Sequence, residues 1–277
     1  MNAFIQLIRP RHWIKNLFLF SAPLFGGVLF RSDVLPPVIL AFISFSLCAS
    51  AVYIFNDVID KDRDCLHPDK RNRPIACGAV APNHALGLAI ALFIISIGIA
   101  LPLSPLFLAT LLVYAVLQIF YSLCGKNMVF VDLVLIASGF ILRMFAGSAA
   151  SQVTVSLWLF ACLFLLSLIL ATGKRISELS LLHASAVLHR SALSRYSPPM
   201  LWTVLNVTSL AAVACYSAYA LQHGNMLLTI PFVAAGLFRY RVLVGRVKGE
   251  PTEAVLHDSV LRSIVLAWIT AILFIQM

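Results

Sequence analysis

Apolar runs of roughly 18 residues or more recur from one end of this chain to the other, and such runs leave few folds open. In hydrocarbon every backbone N–H and C=O must bond within the protein, which only helices and closed barrels achieve. Barrel strands would alternate polar and apolar at every second residue, and these runs do not. Composition agrees: 61% of the 277 residues are hydrophobic and 11% are charged, where a soluble domain carries charge on about a quarter. The chain therefore reads as an all-α polytopic membrane protein. Nine spans fit the runs, at about 13–30, 35–56, 83–101, 105–122, 128–149, 154–172, 199–221, 225–240 and 258–276. The third and fourth are divided only by Leu-Pro-Leu-Ser-Pro, a turn signal.

Orientation follows from lysine and arginine. All of the 20 basic residues except Arg31, Arg143 and Arg262 fall at or before the start of the first span, or at the ends of the second, fourth, sixth and eighth and in the loops after them. The positive-inside rule then puts the N-terminus and those loops in the cytoplasm and the C-terminus outside. The formal net charge of +9 is thus mostly topology and attraction to anionic headgroups, with no call for a nucleic-acid partner. The first apolar run has no small-residue cleavage site and reads as an uncleaved span. Six cysteines are scattered without a C-x-x-C pair and read as reduced core or loop residues. No linker or repeat divides the chain, so a single domain, 1–277, is expected.

Against this background one stretch stands out. Residues 56–74, NDVIDKDRDCLHPDKRNRP, hold five of the 11 acidic residues: Asp57, Asp60, Asp62, Asp64 and Asp69. If the second span continues as a helix, Asp57, Asp60 and Asp64 stand at i, i+3 and i+7, and Asn56 joins them at i+4 spacing. Asp62 points away. Hard oxygen ligands on one stripe suit Mg²⁺, which keeps room for water and phosphate oxygens. A solvated, salt-bridged helix end, with Lys61 four residues after Asp57, is the plainer alternative. Lys70, Arg71 and Arg73 follow closely. Carboxylates that hold a metal, beside guanidinium and ammonium donors, make a mixed site for a diphosphate, and such a clamp stabilises diphosphate as it leaves.

The pattern N-D-x-x-D-x-x-x-D, here Asn56, Asp57, Asp60 and Asp64, followed by Arg73-Pro74-Ile75-Ala76-Cys77-Gly78, resembles the UbiA superfamily of intramembrane prenyltransferases. The resemblance extends over essentially the whole chain. It implies nine helices around a central cavity open to the cytoplasm, with Mg²⁺ as cofactor. Ordinary members carry a second acidic motif, D-x-x-x-D, in the loop after the sixth span. Here that loop reads Gly-Lys-Arg-Ile-Ser-Glu-Leu, 173–179, with the single acid Glu178.

Four stretches are similar to one branch, the decaprenyl-phosphate phosphoribosyltransferases: Arg9–Asn16, His67–Arg71, Gly173–Leu179 and Gly249–Glu253. This branch implies transfer of 5-phosphoribosyl from phosphoribosyl pyrophosphate to a polyprenyl phosphate, releasing diphosphate. The resemblance further implies catalytic work for Asp57, Asp60, Asp64 and Lys70. Metal would sit on Asn56, Asp57, Asp60 and Asp64. Phosphates would meet Arg71, Arg73, Tyr121, Lys126, Lys174 and Arg175. Tyr121 and Lys126 otherwise read as a belt tyrosine and a topology signal. Lys15 and Asn16 open the first span, where they could meet the lipid phosphate or the sugar, or simply anchor the helix beside Trp13. Asp132 could hold metal or orient Lys126, and Arg143 reads as buried structure or as snorkelling to the outer interface. Two other functions stay open: a UbiA-type prenyltransferase acting on an aromatic or other small acceptor, and a secondary transporter using intramembrane acids.

Overall fold

A computed structural model of the chain describes residues 3–66, 70–182, 195–244 and 258–276. The stretches 67–69 and 249–253, with His67, His183, His189 and His257, lie outside the described residues. Among those described, every regular element is helical: α1 (Ala3–Ile8), a 3₁₀ helix (Pro10–Phe20) running into α2 (Ser21–Phe25), α3 (Leu35–Ile59), α4 (Lys61–Leu66), α5 (Pro82–Ala100), α6 (Pro105–Leu123), α7 (Val131–Ser151), α8 (Leu157–Leu182), α9 (Pro198–Gln222), α10 (Ile230–Val244) and α11 (Ser259–Gln276). Short 3₁₀ turns cover Lys70–Asn72, Gly125–Asn127 and Gly224–Thr229. Proline in the first turn opens α3, α5, α6 and α9, where its missing N–H costs nothing. Ser104 caps α6 by accepting from the Phe107 amide at 3.0 Å. The Leu-Pro-Leu-Ser-Pro break therefore does separate two helices.

Among the described residues seven helices are long and apolar enough to cross a membrane, against the nine expected, so the chain is an integral membrane protein. The ninth expected span, Ser259–Ile275, is apolar but shorter. The first differs in kind. Its helical part covers Pro10–Phe25 rather than 13–30, and most of it is 3₁₀. A 3₁₀ helix rises about 2 Å per residue, so this short stretch reaches about 30 Å, the thickness of a hydrocarbon core. A further difference is α8, which runs ten residues past the expected end of its span. Residues 173–179 are thus helix, where a loop was expected. A Cβ on Gly173 would collide with the Tyr240 hydroxyl, which explains a glycine in mid-helix.

The chain forms two compact units, 1–126 with 142–155 and 127–141 with 156–277, and the division falls inside α7. In the first unit α3 is the central element. Small residues let its backbone approach α5, where the Ser44 hydroxyl donates to the Ser96 carbonyl at 2.8 Å and Ser96 returns the bond to Ser44 at 2.7 Å. The 3₁₀ helix packs through a three-residue repeat: Asn16, Leu19 and Ala22 are buried and Trp13 is half-buried. The Trp13 indole donates to Ser50 at 3.0 Å and the Asn16 amide to Ser46 at 2.8 Å. A Cβ on Gly147 would overlap the Leu19 carbonyl, so the second half of α7 lies directly on this helix. In the second unit α8 packs on α9, and α10 on α11, around Ile169, Leu201, Leu205 and Leu243.

Candidate functional site

Asp57 lies in the last turn of α3, Asp60 at the break after it, and Asp64 in α4; all three are buried. The break is slight. The Asp60 amide donates to the Asn56 carbonyl at 2.9 Å and the Asp64 amide to the Asp60 carbonyl at 2.8 Å, so helical bonding runs through it. The expected stripe is therefore preserved, and Asp62 is exposed as expected.

What fills the stripe is cationic. One guanidinium nitrogen of Arg73 donates to Asp57 Oδ1 at 2.9 Å and to Asp64 Oδ2 at 2.6 Å. A single positive group thus draws together oxygens from two carboxylates. Arg9 donates to both Asp57 oxygens at 2.5 Å, and Lys126, itself buried, donates to Asp60. Burial pushes the Asp64 carboxyl above its usual range; Arg73 and Lys70 oppose that shift without overcoming it. Among the described residues no three His, Cys, Asp or Glu side chains stand close enough to hold a metal by themselves. The donors nevertheless suit a hard divalent ion: all are oxygens, and two carboxylates already converge on one cation.

The other expected residues divide. Lys70 is half-buried and Arg71 exposed in the turn that leads to Arg73, and Asn56 and Tyr121 are half-buried at the ends of their helices. Lys15 is half-buried, with its ammonium 3.3 Å from His12 Nδ1. Asn16 is committed on both sides of its amide: it donates to Ser46 and accepts from Arg143 Nε at 2.7 Å. Fully buried, it offers nothing to a substrate in this arrangement. Arg143 does not snorkel. It is 3% exposed, donates to the Tyr114 hydroxyl at 3.0 Å and lies over the rings of Phe45 and Tyr114.

Lys174 and Arg175 belong to the second unit. Lys174 is half-buried, whereas Arg175 is 1% exposed and donates to Asp132 Oδ2 at 2.6 Å and to Glu178. Asp132 in turn accepts from the Tyr196 hydroxyl at 2.6 Å and from the Leu133 amide at 2.9 Å. Tyr196 accepts from the amide of Phe130, whose φ is 63°. Arg175 is thus tied into a buried knot instead of presenting a guanidinium outward. Tyr196 and Arg9 were not among the expected site residues. For Tyr196 the sequence holds no signal, since its partner lies 64 residues away.

These features define a class: an integral membrane protein with a carboxylate cluster at one end of a span, neutralised by arginine and lysine. The chain belongs to the UbiA prenyltransferase family, whose sequence pattern matches residues 20–260. It is 36% identical to the decaprenyl-phosphate phosphoribosyltransferase of Mycobacterium tuberculosis, over 97% of this chain and 92% of that protein. The protein of the same name in Mycolicibacterium smegmatis is 35% identical, over 98% and 92%. In fold the chain is similar to a UbiA homolog from Archaeoglobus fulgidus bound to DMAPP and Mg²⁺, with a TM-score of 0.78 at 18% identity, covering 98% of this chain and 99% of that one.

Proposed function

We propose that this protein transfers the 5-phosphoribosyl group of phosphoribosyl pyrophosphate to a polyprenyl phosphate of decaprenyl type, releasing diphosphate. The observation that carries the chemistry is the shared guanidinium of Arg73 between Asp57 and Asp64. It marks a point where two carboxylates meet a cation, with further positive side chains within reach of phosphate oxygens. Likeness along nearly the whole chain to proteins named decaprenyl-phosphate phosphoribosyltransferase supports the choice of substrates.

Asn56, Asp57, Asp60 and Asp64 would hold Mg²⁺, and when bound the ion neutralises charge on the departing diphosphate. Arg73, Lys126, Lys70 and Arg71 exchange their carboxylate or solvent partners for phosphate oxygens. Tyr121 and Lys174 are assigned to the same phosphate-handling set, whereas Arg175, tied to Asp132 and Glu178, is given a structural role. The bond from the anomeric carbon to diphosphate breaks, and diphosphate leaves with the electron pair. An oxygen of the lipid phosphate forms the new bond from the opposite side, inverting the centre. The acceptor is already an anion near neutral pH, so no strong general base is needed and positioning dominates. The whole chain is read as one catalytic domain in the inner, cytoplasmic membrane. Nine crossings with the N-terminus inside and the C-terminus outside would leave the acids facing the cytoplasm.

The test uses purified protein in lipid vesicles with polyprenyl phosphate and labelled phosphoribosyl pyrophosphate. Label should enter the organic phase only when both substrates are present, stop on chelation, and resume with Mg²⁺. Turnover of prenyl diphosphate onto an aromatic acceptor, with no such labelling, would replace this reading by that of a prenyltransferase.

A further inference from the structure

In an α-helix, positions three apart step round the axis by about 60° each time, so residues 9, 12 and 15 would fan out. Pro10–Phe20 is a 3₁₀ helix, in which residues three apart eclipse. Arg9 at its N-cap, then His12, Lys15 and Phe18, therefore form a single file. The contacts bear this out. The Lys15 ammonium is 3.3 Å from His12 Nδ1, the His12 ring meets Tyr53 edge-on at 5.5 Å, and the Arg9 guanidinium lies 5.6 Å from the centre of that same Tyr53 ring. Tyr53 sits one turn of α3 before Asp57, which Arg9 also binds.

The other two files of this helix are different. Trp13, Asn16 and Leu19 pack inward, while Arg11 and Leu17 are exposed, Leu17 by 52%, with Ile14 half-buried between them. Eleven residues of 3₁₀ helix are unusual, because the hydrogen bonding is poorer than in an α-helix. Here the geometry gathers three basic side chains into a row that starts at the carboxylate cluster and ends in an apolar residue. Arg9 holds a left-handed backbone conformation, φ 53° and ψ 57°, at the head of this row. Such strain persists where the surroundings hold it in place.

We infer that the row Arg9, His12 and Lys15 is the seat of the acceptor's phosphate, with the polyprenyl chain leaving past Phe18. This rests on the transfer reaction proposed above and goes further by assigning the acceptor's place. A phosphomonoester takes donors from His12 and Lys15, and Arg9 links it to Asp57 beside the donor diphosphate. The donor's 5-phosphate has the same chemistry. The apolar end of the row favours the lipid.

The test is a pair of kinetic titrations, each varying one substrate. Lys15→Gln and His12→Asn should each raise KM for polyprenyl phosphate at least about tenfold and leave KM for phosphoribosyl pyrophosphate within about twofold. Lys15→Arg should recover most of the loss. Arg11→Ala, which removes the same charge from the outward file, should move neither constant. A rise confined to the phosphoribosyl pyrophosphate constant, or no rise in either, overturns the assignment. Binding of farnesyl phosphate against farnesol, followed by tryptophan fluorescence of the detergent-solubilised full chain, separates this site from the reaction. Wild type should prefer the phosphate, and the Lys15→Gln/His12→Asn variant should lose that preference. That pattern in a protein that fails to turn over phosphoribosyl pyrophosphate would bring down the reaction yet support the row. An undiminished preference in the variant would bring down the row.

Discussion

Two groups of charged side chains in this protein are built from the same residue types and satisfied in opposite ways. In the first unit Asp57 and Asp64 share Arg73, Asp57 also holds Arg9, and Asp60 holds Lys126. Every one of these side-chain partners is a cation on a long, rotatable stem. In the second unit Asp132 accepts from a backbone amide, a tyrosine hydroxyl and Arg175, at 1% exposure for both ends of the ion pair. Amides and a tyrosine fixed by packing cannot be traded for a metal and a phosphate, whereas a lysine or arginine at the end of a flexible chain can. A carboxylate held only by exchangeable cations is set up for chemistry. One held by fixed donors is structure, because a buried pair stripped of one member is costly.

The contrast breaks most sharply at Asp57 and Asp64. Asp57→Asn or Asp64→Asn should lower turnover about a thousandfold, close to 4 kcal/mol of barrier, with little change in unfolding temperature in detergent. Labelled transfer into lipid reads the first and thermal unfolding the second. Asp132→Ala should do the reverse. It strands Arg175 and the Tyr196 hydroxyl, and should destabilise by about 3–5 kcal/mol. Activity per folded molecule should stay within about threefold. A stable Asp132→Ala protein without turnover would erase the distinction and make Asp132 catalytic.

Much of the exchangeable group was legible in the sequence, because local spacing fixes it. Asp57, Asp60 and Asp64 lie along one helical path, and hydrogen bonds through the break keep them in register. The basic turn at 70–73 follows within a few residues. The fixed knot was not legible: Asp132, Arg175 and Tyr196 meet across 43 and 64 residues, and no local periodicity encodes that. Asn16 and Arg143 show the same limit, since a polar residue at a span end looks alike whether it meets substrate or an arginine 127 positions away. Nor did hydropathy reveal that the first span is largely 3₁₀. The three-residue repeat of Asn16, Leu19 and Ala22 shows only in their burial, which belongs to the structure and not to the sequence.

Smaller effects sharpen the comparison. Tyr196→Phe removes one donor to Asp132 and leaves the Phe130 amide without its acceptor, at a left-handed residue. A loss of about 1–2 kcal/mol in stability is expected, with KM unchanged for both substrates. The smallest effect belongs to the exposed one of two cations near the same carboxylate. Lys126 and Arg63 both approach Asp60, but Lys126 is buried, whereas Arg63 is 54% exposed and 3.9 Å away. Exposed pairs of this kind are worth little. Lys126→Ala should therefore cut turnover about a hundredfold, and Arg63→Ala should change turnover by less than about twofold and stability by less than about 0.5 kcal/mol. Equal losses at the two positions would mean that charge near Asp60 matters in bulk, and that no particular side chain is handed from carboxylate to phosphate.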